Sequence, residues 1–226
     1  DSLADRALTA ASIISLISKS PLRDPGASGN PARIGYFHVM GLRAAILNRI
    51  VAALLPLFLT CAGAFAEDTA KLDGLFERLK VADEAEAGRI EREIWIEWSK
   101  SGSPAEDLLL QRGTDAMDLG DYPAAIEHFT AIIDHDPDFA EAWNARATAY
   151  YMSGEFGPSV ADIGHVLTLN PRHFGALSGL AMILEESGKP EKALEVYKAA
   201  LAIHPHLKGA AEAVERLGNF LSSYRQ

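Results

Sequence analysis

Apolar residues recur three to four positions apart through much of this chain. Leu72, Leu75, Phe76 and Leu79 make one helical stripe; Ile90, Ile94 and Trp98 make a second; Trp143, Ala147 and Tyr150 make a third. That spacing places side chains on one face of a helix of 3.6 residues per turn. A longer period overlies it. Gly120, Gly154 and Gly188 stand 34 residues apart, and so do Pro137, Pro171 and Pro205. The two markers divide residues 105–207 into three units, 106–139, 140–173 and 174–207. Each unit reads as helix, glycine turn, helix, proline turn. Glycine ends the first helix because it adopts the left-handed conformation without steric cost, and proline cannot continue the second.

The residues at fixed places in the units resemble the tetratricopeptide repeat (TPR). The large apolar residue early in the first helix (helix A) is Leu109, Trp143 and Leu177. The small residue where the helices cross is Gly113, Ala147 and Ala181, and its small partner on the second helix (helix B) is Ala125, Ser159 and Ala193. An aromatic follows at Phe129 and Tyr197, with Ile163 between them. Two places depart from the family. Its leucine three residues after the first apolar position is Arg112, Arg146 and then Leu180, and the small residue near the end of helix B is Ile132, Val166 and then Ala200. An arginine there is expected to lie along the stack and carry its head out to an acidic neighbour. The resemblance implies an all-α, right-handed α-solenoid of helix-turn-helix repeats.

Solenoid ends need covers that are apolar inside and polar outside. After Leu207, residues 208–226 predict a capping helix with Ala210, Val214, Leu217 and Leu221 inward and Glu212, Glu215 and Arg216 outward. Before the first unit, 67–104 predicts an antiparallel helical hairpin, with a degenerate fourth repeat as one reading of it. Ser103 is the expected N-cap of the next helix and Pro104 its first residue.

The N-terminal third differs in kind. From Met40 the chain carries Arg43 and Arg49, an apolar run from Ile50 to Leu59, and the small-residue ending Ala64-Phe65-Ala66. That is the order of a secretory signal peptide, 40–66, cleaved after Ala66. The alternatives are a membrane anchor, for which the 17 residues from Ile50 to Ala66 fall short of a span, and a lipoprotein modified at Cys61. Residues 1–39 are expected to be an upstream or disordered leader outside the fold, with Met40 the natural start. Cleavage sharpens the charge. The whole chain stands at −10; losing six of its 21 basic and three of its 31 acidic residues leaves 15 against 28, or −13, on 160 residues without cysteine. An exported, periplasmic protein with no stable membrane insertion after cleavage is the expectation. The acidity disfavours nucleic acid, whose binding rests on basic side chains, and the lone Cys61 excludes a disulfide framework within the chain.

Function is expected in the groove formed by helices A, on the face turned away from helices B. Leu110, Thr114 and Met117 face it in the first unit, Asn144, Thr148 and Tyr151 in the second, and Ser178, Met182 and Glu185 in the third. A neutral row with two methionines and a tyrosine suits a peptide or a partner helix. The acidic rim favours a basic or amphipathic protein partner. The resemblance also sets one specialisation aside: TPR domains that grip chaperone tails by the free carboxylate use paired lysines and asparagines on helix A. Here only Asn144 could serve, with Asp107 and Glu141 where a cation would be wanted. No catalytic or cofactor motif emerges, so a scaffold and not an enzyme is expected, with no cofactor. The alternative is a subunit of an enzyme or metal-handling complex in which the corner histidines His173, His204 and His206 are weak candidate ligands.

Overall fold

The computed structural model describes residues 70–223, and those from Leu75 onward belong to one compact unit. The leader and the signal peptide lie outside the described residues. All regular structure among the described residues is helical: α1 (70–81), α2 (Glu84–Trp98), α3 (Pro104–Asp118), α4 (Tyr122–His135), α5 (Ala140–Met152), α6 (Phe156–Leu169), α7 (Phe174–Glu186), α8 (Pro190–Ile203) and α9 (Lys208–Ser223). None of these is long and apolar enough to cross a membrane.

Helices α3/α4, α5/α6 and α7/α8 are the helix pairs of the three repeats. From α3 to α9 each helix packs on its neighbour in sequence, and the helices A also touch one another, α3 on α5 and α5 on α7. The result is an α-solenoid. The turn inside each pair repeats one device. Gly120, Gly154 and Gly188 have φ of 74°, 81° and 70°, and the residue after each donates its N–H to a carbonyl five positions back, as in Asp121 N to Ala116 O at 2.9 Å. This closes the last turn of helix A and reverses the chain at once.

Two buried clusters follow from that stacking. One joins the first and second repeats around Phe129, Ile132 and Ala142; the other runs from the second repeat through the third to α9 around Ile163, Leu180, Tyr197 and Leu217. The crossing of helices A and B is tightest in the first repeat. A Cβ on Gly113 would stand 2.2 Å from the Phe129 ring, so the glycine is required by close approach. In the second repeat Ser159 is buried and donates to Ala147 O at 2.8 Å, so the hydroxyl costs no unpaired group. The third repeat holds a phenol instead. Burial, and after it Glu185, pushes Tyr197 up to about 12. The sign follows from linkage: the native state favours the neutral phenol, so this part of the stability is full below the unfolded value of about 10 and is lost as pH rises from there towards about 12. Urea titrations at about pH 9 and about pH 11 should show wild type losing more stability than Tyr197→Phe, which cannot ionise there.

The arginines that replace the repeat's leucine have different fates. Arg146 does not carry its head outward. It is held inside, donating Nε to Asp162 Oδ2 at 2.7 Å, Nη2 to Asp162 Oδ1 at 2.9 Å and Nη1 to Thr130 Oγ1 at 3.0 Å, with Trp143 beneath its guanidinium. It bridges helix B of its own repeat to helix B of the repeat before. The hydrogen bond it donates to Asp162 raises its pKa further, so it stays charged. Arg112 is exposed, and at the place where Asp162 holds Arg146 its own repeat carries His128.

The N-terminal hairpin is formed by α1 and α2. Its helices are joined through Ala82 and Asp83, with Asp83 capping α2 by accepting from Glu86 N at 2.8 Å. Leu75, Phe76 and Leu79 of α1 and Ala87, Ile90 and Ile94 of α2 are its buried residues. A degenerate fourth repeat would pack α2 along α3 as α4 packs along α5, and it does not. The second helix instead meets the loops on either side of the third repeat, through ring contacts and ion pairs described below. Ser103 is the N-cap of α3 and Pro104 its first residue, as expected, but the Ser103 side chain makes no capping hydrogen bond. Ser101 braces the entry instead, donating to Asp107 Oδ1 at 2.7 Å and accepting from Ser103 N at 3.0 Å. On α9, Ala210, Ala213 and Leu217 are buried, with Val214 and Leu221 at the half-buried margin and Glu212, Glu215 and Arg216 outside.

Candidate functional site

Helix A of each repeat has one stripe against helix B and another turned away. The second carries Leu110, Thr114 and Met117, then Asn144, Thr148 and Tyr151, then Ser178, Met182 and Glu185, and all nine are exposed or half-buried. Because α3 touches α5 and α5 touches α7, these triplets lie side by side as rows on one continuous face.

The polar groups of the face are partly tied down. Thr114 and Thr148 return their hydroxyls to Leu110 O at 2.9 Å and Asn144 O at 3.0 Å, which leaves their methyl groups outward. Asn144 donates to Glu141 at 3.1 Å. Tyr151 donates its hydroxyl across the repeat boundary to Glu186, and that bond, ahead of burial, raises the phenol's pKa. Glu185 receives both Arg216 Nη groups from α9, and this pairing raises the pKa of Arg216. Ser178 Oγ is buried without a hydrogen-bond partner. Met182 is among the more exposed large apolar side chains, and Met117 is half-buried. The face therefore offers thioether and methyl surface and a set of carboxylates already engaged. That composition suits contact through area and shape.

The corner histidines are not gathered as metal ligands, and among the described residues no group of three His, Cys, Asp or Glu side chains could hold an ion. His173 caps α7: its Nδ1 accepts from Ala176 N at 3.0 Å, which places its proton on Nε2, 3.1 Å from Glu141 Oε2. His204 is buried with Nε2 3.3 Å from Glu91 Oε2, too poorly aligned for a hydrogen bond, and Nδ1 unpartnered. His206 lies across a cleft of about 360 Å³ that also takes in Glu84, Gly88, Glu91, Leu207 and Lys208. There Lys208 Nζ stands 2.5 Å from Glu84, and this contact holds Glu84 below the ordinary carboxylate range.

What surrounds His173 and His204 is the hairpin. Trp98 stacks on His173 with ring centres 4.3 Å apart, and Phe174 is enclosed by Trp95 at 5.6 Å, Trp98 at 5.0 Å and His204 at 4.9 Å. Sequence reasoning missed Glu91, Trp95, Phe174, Gly175 and Glu186 as members of this region. A signal existed. The unit that opens Glu106-Asp107 in the first repeat and Ala140-Glu141 in the second opens Phe174-Gly175 in the third, exchanging charge for a ring and a notch.

Comparison with known proteins follows the same lines. Family models described as tetratricopeptide repeat match residues 110–157 and 174–207. A TPR repeat-containing protein of Rhizobium etli is 41% identical over 156 residues, covering 69% of this chain and 76% of its own. Small glutamine-rich tetratricopeptide repeat-containing protein 2 of Saccharomyces cerevisiae is 34% identical over 131 residues, covering 58% of this chain and 37% of its own. Among solved structures, the first TPR domain of Spaghetti, bound to an HSP90 peptide, aligns with a TM-score of 0.51 at 24% identity over 53% of this chain and 95% of that one, a likeness of fold.

Proposed function

Because the chain belongs to the tetratricopeptide repeat family, we propose that it is a non-catalytic interaction scaffold that holds a peptide or helix of a partner protein against the rows formed by helices A. The observation that carries the reading is the continuous face on which Leu110, Met117, Thr148, Tyr151 and Met182 offer adaptable apolar surface between tied carboxylates. Burial and geometry do the binding, and α9 and the turns hold the face rigid. The partner is basic or amphipathic. Asp107 and Glu141 stand at the rim where an acidic tail would need cations, and the 160-residue product of cleavage carries −13.

We also propose that the protein is exported and works in the bacterial periplasm on a protein of the cell envelope. The support is the run from Met40 to Ala66. N-terminal sequencing of the protein recovered from the periplasm should start at Glu67; a start elsewhere removes the export reading. For the face itself, capture from periplasmic extract with wild type and with Tyr151→Ala/Met182→Ala decides. The expected result is loss of the captured protein with the helical circular-dichroism signal retained, and equal capture would take the face out of the account.

A further inference from the structure

The row that carries Ser178, Met182 and Glu185 begins one turn earlier, at Gly175, which shares their face of α7 by helical spacing. That first place is not open. A Cβ on Gly175 would stand 2.7 Å from Trp95 Cη2 and 3.0 Å from Cζ2, so the indole rests on the bare backbone. At the same place the other repeats carry Asp107 and Glu141. Beside the notch, Phe174 is 1% exposed under the two tryptophans, and Arg172 lays its guanidinium over Phe76 of α1 at 4.3 Å. Glu91 reaches His204, and Glu84 reaches Lys208. These contacts are made by side chains at the corners before and after the third repeat. The hairpin's second helix does not run packed along any helix of the solenoid. Its attachment is a plug of rings with an exposed ion pair at the far end, on a tether that includes Gly102 at φ of 77°.

We infer that the N-terminal hairpin is a built-in stopper: α2 seats Trp95 on Gly175 at the end of the third row and must be displaced before a partner can use that row to its end. The inference rests on the proposal that the rows bind a partner and names how that binding is held back. The occupant is the chain's own α2, an acidic helix presenting Glu91, Trp95 and Trp98 on one face.

The test uses the full chain and a labelled synthetic peptide of residues 84–98 as probe. A tethered copy competes at an effective concentration far above micromolar peptide, so wild type should resist the probe, whereas Trp95→Ala/Trp98→Ala should bind it at least about tenfold more tightly. Adding Gly175→Glu, the residue of the second repeat, should abolish that gain. Equal binding to all three chains, or binding that survives Gly175→Glu, overturns the stopper. Should the double variant fail to fold, Gly175→Glu alone keeps both tryptophans. Its α2 amides should then exchange at least about tenfold faster while those of α8 stay protected, and unchanged α2 exchange overturns the inference. Neither readout uses the periplasmic partner, so failure of the stopper leaves the capture experiment standing.

Discussion

Asp162→Val is expected to cost about 3–5 kcal/mol, one of the largest losses available from a single change in this chain, because it strands a buried guanidinium. Arg146 then keeps only Thr130 as a hydrogen-bonded partner while its side chain remains 14% exposed. Arg146→Leu should lose a similar amount by leaving Asp162 buried without its partner. The informative variant carries both changes. The third repeat has Leu180 and Val196 at the places of Arg146 and Asp162, both buried at 3%, so it is a worked apolar version of the same joint. Arg146→Leu/Asp162→Val should therefore return to within about 1–2 kcal/mol of wild type, since a buried ion pair gives little over well-packed hydrophobic residues once desolvation is included. Thermal melts followed by circular dichroism read this directly: for about 160 residues, a loss of about 3 kcal/mol lowers the midpoint by about 10 °C. A double variant as unstable as either single one would mean that the bridge to Thr130, and not mutual neutralisation, is what the site needs.

The second large effect lies where the first repeat's helices cross. Phe129→Ala should cost about 3–5 kcal/mol, because the ring is 1% exposed and fills the space a side chain at 113 would occupy. The same geometry inverts a common rule. Gly→Ala inside a helix ordinarily gains about 1 kcal/mol, yet Gly113→Ala should lose about 1–2 kcal/mol net, because its Cβ would drive a buried and rigid ring off its seat. With Phe129→Ile in place the substitution should become favourable, since Ala147 with Ile163 is already the second repeat's solution. A double-mutant cycle should thus show coupling of about 2 kcal/mol or more, and coupling near zero would mean that the crossing relaxes freely.

How much of this was legible beforehand depends on the range over which a pattern reports. The 34-residue spacing of glycine and proline specifies packing between neighbours in sequence, and the stack from α3 to α9 follows it. So do the rows, since a residue's face is set by its place in the unit. Composition at one position was less decisive. Arg112 and Arg146 occupy equivalent places, and what separates them is the partner on helix B, Asp162 in the second repeat and His128 at the same place in the first. Period cannot report the seat of the hairpin, because 80 positions separate Trp95 from Gly175 and no repeat is shared between them. Only the exchange of the carboxylate at 107 and 141 for Gly175, with Phe174 before it, marked the place, and that mark acquires meaning once its partner is known. The corner histidines, only weak candidate ligands by their spacing, have local work in two cases: His173 caps α7, and His204 lies under Glu91 against Phe174.

The seat of the hairpin has a consequence for how the chain is made. Contacts inside the repeats close short loops and form early, but those of Trp95 and Trp98 must wait for residues far downstream. This segment, made before the repeats, is thus completed last, and until the third repeat has emerged its two indoles lack the His173 and Phe174 rings that cover them. A nascent or translocating chain passes through a stage with this aromatic face open, and any chaperone that attends its biogenesis should find its binding site there, before the first repeat rather than within the array.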